Sequence, residues 1–276
     1  MRLLLVHAHP DDETLWTGGT IARYAAAGVH VAVVTCTLGE EGEVIPGELG
    51  GLAAAGGADQ LGGYRVAELR AACRALGVAE HRYLGGIGRW RDSGMAGTAA
   101  NEHPRAFVNG SLAEQVAQLS AIVTRLRPHV LVGYDPNGGY GHPDHIRAHQ
   151  VMMAAAAGVP AVFWAAVASS TVRAGLAELA GVDGLPYRMP ADGELPCVPD
   201  EVVTTTVDIA AHLPAKLAAM RAHATQVSVW EDGAGRRAYA LSNGLANPVA
   251  TVEHYTLAGG RVGPEQVRTD VFGGQR

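Results

Sequence analysis

Met1-Arg2-Leu3-Leu4-Leu5-Val6-His7-Ala8-His9-Pro10-Asp11-Asp12-Glu13 decides how the rest of the chain is read. Residues 3–6 form a continuous apolar run, as expected of a parallel strand covered on both faces. A polar turn follows at once. Residues 17–27 are then Ala-rich and stop before Gly28, the pattern of a helix with a glycine just past its end. Residues 29–35 return to β-branched types, so the chain opens as strand–helix–strand.

The same alternation continues outward. The pattern predicts a helix over 59–76 ending before Gly77, a short strand at 82–84, a helix over 111–126 and a strand within 128–134. A helix over 144–157 and a strand at 161–166 follow. Alternating strands and helices of this kind make an α/β fold, a Rossmann-like, mainly parallel sheet flanked by helices. Beyond about residue 170 the pattern weakens. Residues 186–199 are rich in Pro and Asp and read as irregular, with a strand at 202–207, a helix at 212–223 and a late strand within 248–257. No repeat or linker interrupts the chain. The expectation is one domain over 1–276, an α/β core at 1–170 and a less regular C-terminal part at 171–276 that completes the pocket.

Bulk composition narrows the classes. With 36 Gly and only three Phe, the core must be built from Ala, Val and Leu with close backbone approaches. A net charge of −6 without any Lys/Arg run argues against a nucleic-acid surface. Three widely spaced cysteines offer neither a disulfide framework nor a thiolate metal site. The opening apolar run is too short for a signal peptide, and nothing approaches the roughly 18 apolar residues that cross a bilayer. A cytoplasmic protein without a membrane partner is expected; oligomeric state leaves no mark in the sequence.

Chemistry concentrates in two segments, each placed just after a strand, where open α/β sheets bind ligands. The 9–13 turn follows the first strand, and the stretch 135–145, ending Gly141-His142-Pro143-Asp144-His145, follows the strand that closes at Tyr134. Side by side, the two turns would gather His9, Asp12 and His145, imidazoles and a carboxylate with one position left for water, as catalytic zinc is held. In a turn successive side chains diverge, so one acid of Asp11, Asp12 and Glu13 can ligate while its neighbour serves as base. His142 and His145, three apart at a helix start, face one side, so one can bind metal while the other serves a leaving group. Read singly, each segment is also an ordinary helix start, with an N-cap and acids that suit the helix dipole. His149 sits four residues after His145, but no HExxH surrounds it.

These segments resemble the two signatures of the PIG-L/LmbE-like N-acetylglucosamine deacetylases. The stretches 35–43, 61–65, 88–95, 134–145, 223–226 and 253–255 are similar to the mycothiol-pathway branch of that family in actinobacteria, and the likeness runs to about Leu257. That branch acts on N-acetylglucosaminyl-inositol, a small amino-sugar inositol substrate. The resemblance implies one zinc per chain on His9, Asp12 and His145, a donor set that also suits iron(II). It implies Asp11 as general base, His142 as general acid, Asp144 as the partner orienting His142, and Tyr140 as a mobile residue at the oxyanion. Glu43, Arg65 and Asp92 match positions that contact substrate hydroxyls; by itself Arg65 reads as a surface helix residue. Trp16 departs from the small residue of the branch and would alter a sugar subsite. Competing readings are a mycothiol S-conjugate amidase, an antibiotic-sugar deacetylase and a non-catalytic metal- or sugar-binding module. The absence of GxGxxG after the first strand argues against a dinucleotide-binding domain.

Overall fold

The computed structural model describes residues 1–273. Five strands run parallel: β1 (Arg2–His7), β2 (His30–Thr35), β3 (Glu80–Tyr83), β4 (Val130–Gly133) and β5 (Ala161–Ala166). Two more join the same sheet, β6 (Thr205–Asp208) and β10 (Val252–Gly260), with β10 lying antiparallel between β5 and β6. The order is β3-β2-β1-β4-β5-β10-β6. From β1 the chain builds outward to one side, then returns to lay β4 on the other flank of β1. That reversal opens a crevice at the carboxyl ends of β1 and β4, where such sheets bind ligands.

Side-chain alternation on β1 sorts the core into two layers. Leu3 and Leu5 pack with Ile21, Tyr24 and Leu76 on the face carrying helices α1 (Asp12–Ala26), α2 (Leu61–Leu76) and α6 (Leu213–Ala222). Leu4 and Val6 pack with Leu119, Val151 and Met152 on the face carrying α3 (Leu112–Leu126) and α4 (Pro143–Ala155). The first of these cores also takes in Ile209, Tyr255, Val267 and Phe272, so both halves of the chain share it.

Two features depart from the sequence expectation. Helix α1 begins at Asp12 rather than residue 17, because the acids of the polar turn themselves form its first turn. The C-terminal part is more regular than its composition suggests. It holds a helix, α5 (Ser169–Leu179), and a separate antiparallel sheet of β7 (Ser228–Glu231), β8 (Arg237–Ala240) and β9 (Asn247–Pro248). Among the described residues no helix is long and apolar enough to cross a membrane.

Candidate active site

The 9–13 turn holds a strained backbone. Asp11, the residue before α1, sits at φ 112° and ψ −34°, where non-glycine residues are rare. Its side chain does not cap the helix. Instead the Arg65 guanidinium donates to its carboxylate at 2.9 Å, and to the carbonyls of Gly39 at 2.7 Å and of Pro10. The Asp11 amide donates to Glu13 Oε2 at 3.0 Å, and its carbonyl accepts from the amides of Thr14 and Leu15. Backbone of this kind costs on the order of 1–3 kcal/mol and persists only where the surroundings over-determine it.

The second turn bends by glycine. Gly138, Gly139 and Gly141 all have positive φ. At Gly138 a Cβ would come within 2.6 Å of the His145 Cβ, so only glycine lets that histidine tuck under the loop. His142 is the N-cap of α4; its Nδ1 accepts from the Asp144 amide at 3.1 Å, and Pro143 occupies the first helical turn.

Between the turns three donor atoms form a small triangle. His9 Nδ1 and His145 Nε2 are 3.2 Å apart, His145 Nε2 and Asp12 Oδ2 3.3 Å, and His9 Nδ1 and Asp12 Oδ2 3.4 Å. A tetrahedral centre with bonds of about 2.0–2.1 Å spaces its ligands by about 3.3–3.4 Å. The residues present therefore fit a zinc-sized divalent ion. The outer ring nitrogens agree. His9 Nε2 faces Asp144 Oδ2 at 3.2 Å and Asp92 Oδ1 at 3.4 Å, and His145 Nδ1 faces the Gly138 carbonyl at 3.0 Å. An N–H on each of these outer atoms leaves the inner lone pairs free to ligate.

Electrostatics separates the acids. Burial alone would raise Asp12, yet His145 and His9 hold its carboxyl well below the usual range. Asp11, its neighbour, is pushed up to about 6 by burial, with Arg65 opposing and Asp12 reinforcing. Burial works against a charge on His9, but Asp92, Asp12 and Asp144 outweigh it and raise its pKa well above the ordinary value. Burial, with His9 and His145 adding repulsion, lowers His142 to about 3. Two adjacent carboxyls driven apart in this way suit different tasks.

The remaining residues singled out in the sequence distribute as follows. Tyr140, 45% exposed, turns its ring edge-on to His145, with centroids 5.0 Å apart. Glu43 is exposed at the cavity wall. Arg65 is buried, not a surface helix residue; its Nη2 serves the 9–13 turn and its Nη1 the Gly39 carbonyl. Asp92 is buried and takes the Gly94 amide at 2.8 Å while facing His9. Asp144, expected to orient His142, turns its carboxylate to His9 and the Ser93 amide, and its backbone amide donates to His142 Nδ1. Trp16 lines the cavity with its ring edge-on to Tyr134, and a Cβ on Gly139 would strike it at 2.6 Å. His149 stands outside the triangle, bonded to the Tyr134 carbonyl.

The cavity holds about 560 Å³ and extends from His9 and Asp11 past Gln226 and Tyr239 to Asn243 and Pro248 of the C-terminal part. Sequence reasoning assigned no task to the polar pairs beneath it. His223 bonds Glu13 at 2.7 Å, Thr225 bonds Glu68, and Lys216 bonds Glu253 at 2.7 Å. The stretches 223–226 and 253–255 stand out only by resemblance. The contacts of His223 and Thr225 reach back 210 and 157 residues, and that of Glu253 with Lys216 spans 37, so none has a local signature.

Comparison with known proteins places the chain in a family. Residues 4–156 match the family profile described as GlcNAc-PI de-N-acetylase (PIG-L). The chain is 63% identical to the 1D-myo-inositol 2-acetamido-2-deoxy-alpha-D-glucopyranoside deacetylase of Actinosynnema mirum, over 99% of this chain and 96% of that protein. It is 60% identical to the corresponding deacetylase 1 of Saccharopolyspora erythraea, over 99% and 94%. In fold it is similar to the N,N'-diacetylchitobiose deacetylase of Pyrococcus horikoshii, with a TM-score of 0.51 over 81% of this chain and 70% of that one, at 21% identity. It is also similar to the 4-carboxy-2-hydroxymuconate hydratase of Pseudomonas putida, with a TM-score of 0.57 over 95% and 98%, at 18% identity. An α/β sheet with a histidine–carboxylate cluster that could hold a metal ion at its switch point defines the general class. Within it, the chain belongs to the PIG-L family of de-N-acetylases.

Proposed function

We propose that this chain removes the acetyl group from 1D-myo-inositol 2-acetamido-2-deoxy-α-D-glucopyranoside, the deacetylation step of mycothiol biosynthesis, with one zinc held by His9, Asp12 and His145. The observation that carries the reading is the donor triangle of 3.2–3.4 Å, set beside an ionisable Asp11 in a chain alike over nearly its whole length to deacetylases of that substrate.

A divalent ion held by His9, Asp12 and His145 would supply Lewis-acid polarisation of the acetyl group and would acidify the attacking water. Asp11 receives the water's proton, its raised pKa placing it close to the working range of a general base. In place of the imidazolium that the resemblance implies for His142, a neutral ring is the reading its surroundings favour. Its Nδ1 already accepts the Asp144 amide, and its pKa lies far below neutrality. His142 instead works as a neutral ring whose Nε2–H stabilises the developing oxyanion, with the Tyr140 hydroxyl as a second donor. Asp11 then returns its proton to the departing amine, giving acetate and a free glucosamine amine. Asp144 and Asp92 fix the tautomer of His9, and Arg65 holds Asp11 in place. Glu43, on the open wall, Arg65 and Asp92 are assigned to the sugar and inositol hydroxyls.

Acetate release from N-acetylglucosaminyl-inositol by the zinc-loaded protein tests the assignment, against free N-acetylglucosamine and a mycothiol S-conjugate. Faster turnover of the conjugate would make the chain an amidase, and equal turnover of free N-acetylglucosamine would remove the inositol from recognition.

A further inference from the structure

Glu13 and His223 are both fully buried and lie 210 residues apart, joined by a 2.7 Å contact between His223 Nε2 and Glu13 Oε1. A buried pair of this kind is commonly just a satisfied piece of core. What distinguishes it is the use of the second carboxylate oxygen. Glu13 Oε2 accepts the backbone amide of Asp11, the residue held at φ 112°. His223 thus fixes Glu13, and Glu13 fixes the Asp11 backbone.

The segment that carries His223 also reaches the opposite side of Asp11. The Thr225 amide and hydroxyl both donate to the Glu68 carboxylate, at 2.8 and 2.7 Å. Glu68 lies three residues after Arg65 on α2, and Arg65 is the cation on the Asp11 carboxylate. The Thr225 carbonyl accepts the Ile45 amide at 2.9 Å, two residues beyond Glu43. Asp11 is therefore held at its amide through Glu13, which rests on His223, and at its carboxylate through Arg65, whose helix α2 is tied to the same segment by Glu68 and Thr225.

We propose that Glu13 and His223 are positioning residues: together they hold Asp11 in its left-handed backbone conformation and so aim its carboxylate at the attacking water. The proposal rests on the reading of Asp11 as general base. Without the Glu13 acceptor the turn relaxes toward ordinary φ and swings the carboxylate away, while the donor triangle and the cavity wall stay in place.

The test compares Glu13→Leu, Glu13→Gln, His223→Leu and Asp11→Asn, each measured for bound zinc, KM and kcat on N-acetylglucosaminyl-inositol. Both leucine variants should lose kcat on the order of 10²-fold, the effect of displacing a catalytic group by about 1 Å, with zinc content and KM near those of the parent. Glu13→Gln should keep kcat within a few-fold, because the amide side chain still accepts from Asp11 and can donate to the other tautomer of His223. Unchanged kcat in the leucine variants, or zinc lost in step with kcat, would overturn the proposal. Should those variants fail to fold, Glu13→Gln decides alone: a folded, zinc-loaded protein with collapsed kcat would show that charge, not geometry, matters there. Asp11→Asn separates the two readings. If it retains kcat, the base assignment is wrong; if it loses kcat while Glu13→Leu keeps it, only the positioning role is.

Discussion

At the end of β1 the turn into α1 places Asp11 at φ 112°, whereas at the end of β4 the chain enters α4 through His142, an ordinary extended N-cap at φ −64°. The two turns use the same residue types and hold them differently. The second bends at glycines and is pinned by neighbours: the Asp144 amide on His142, and the Gly138 carbonyl on His145. The first carries its strain at the proposed base and is held by its neighbour Glu13 and, from a distance, by Arg65 and His223. Both carry proposed metal ligands, but only the strained turn carries the proposed base. The largest positive φ of any non-glycine residue described thus falls on the proposed base, in keeping with the usual clustering of backbone strain at functional sites.

Four experiments probe that contrast. Asp11→Asn should have the largest effect, a fall in kcat on the order of 10³-fold with zinc still bound, measured as acetate release beside metal analysis. Zinc lost in proportion would make Asp11 a ligand and erase the division of labour. His142→Ala should lower kcat on the order of 10²-fold while leaving the acid limb of the pH profile where it was. That limb belongs to Asp11: its carboxyl must be ionised to accept a proton, so kcat/KM falls as pH drops through about 6. Movement of the limb in His142→Ala would assign it to the histidine instead. For Asp144→Asn the expected change is in metal affinity, weaker by about 10–100-fold in chelator competition, since Asp144 orients the ligand His9. Unaltered affinity would return Asp144 to His142. Gly138→Ala should cost stability, at least about 1–2 kcal/mol from the left-handed backbone, read as a lower melting temperature. An unchanged melting temperature would mean that the second turn does not depend on glycine.

The sequence was most legible where order is local. The run 3–6, the β-branched residues 29–35 and the exact span 161–166 mark parallel strands because both sides of those residues are buried. The two polar turns were legible because ligand-type residues follow strands directly. The start of α1 was misplaced by five residues, since an acidic first turn looks like loop until it is seen to suit the helix dipole. Helix α5 and the β7–β9 sheet were missed for a different reason: their short segments carry little periodicity and are formed by packing against distant residues. The buried state of Arg65 and the path of Asp144 to His9 were equally out of reach. Each depends on which of several acceptors lies nearest once α2 and α4 are docked.

Strand β10 bears on how this enzyme can be dissected. It pairs with β5 along six residue pairs and carries β6 on its other edge. A fragment ending near residue 156, the extent of the family signature, would lack β5 as well and would leave β4 as an unpaired, wholly buried-type edge of Val130, Leu131 and Val132. Such an edge invites pairing between copies. The signature region on its own should therefore be recovered as aggregate, for all that it carries every proposed zinc ligand. Grafts or truncations should instead keep the last strand, so that the unit of inheritance and the unit of folding coincide.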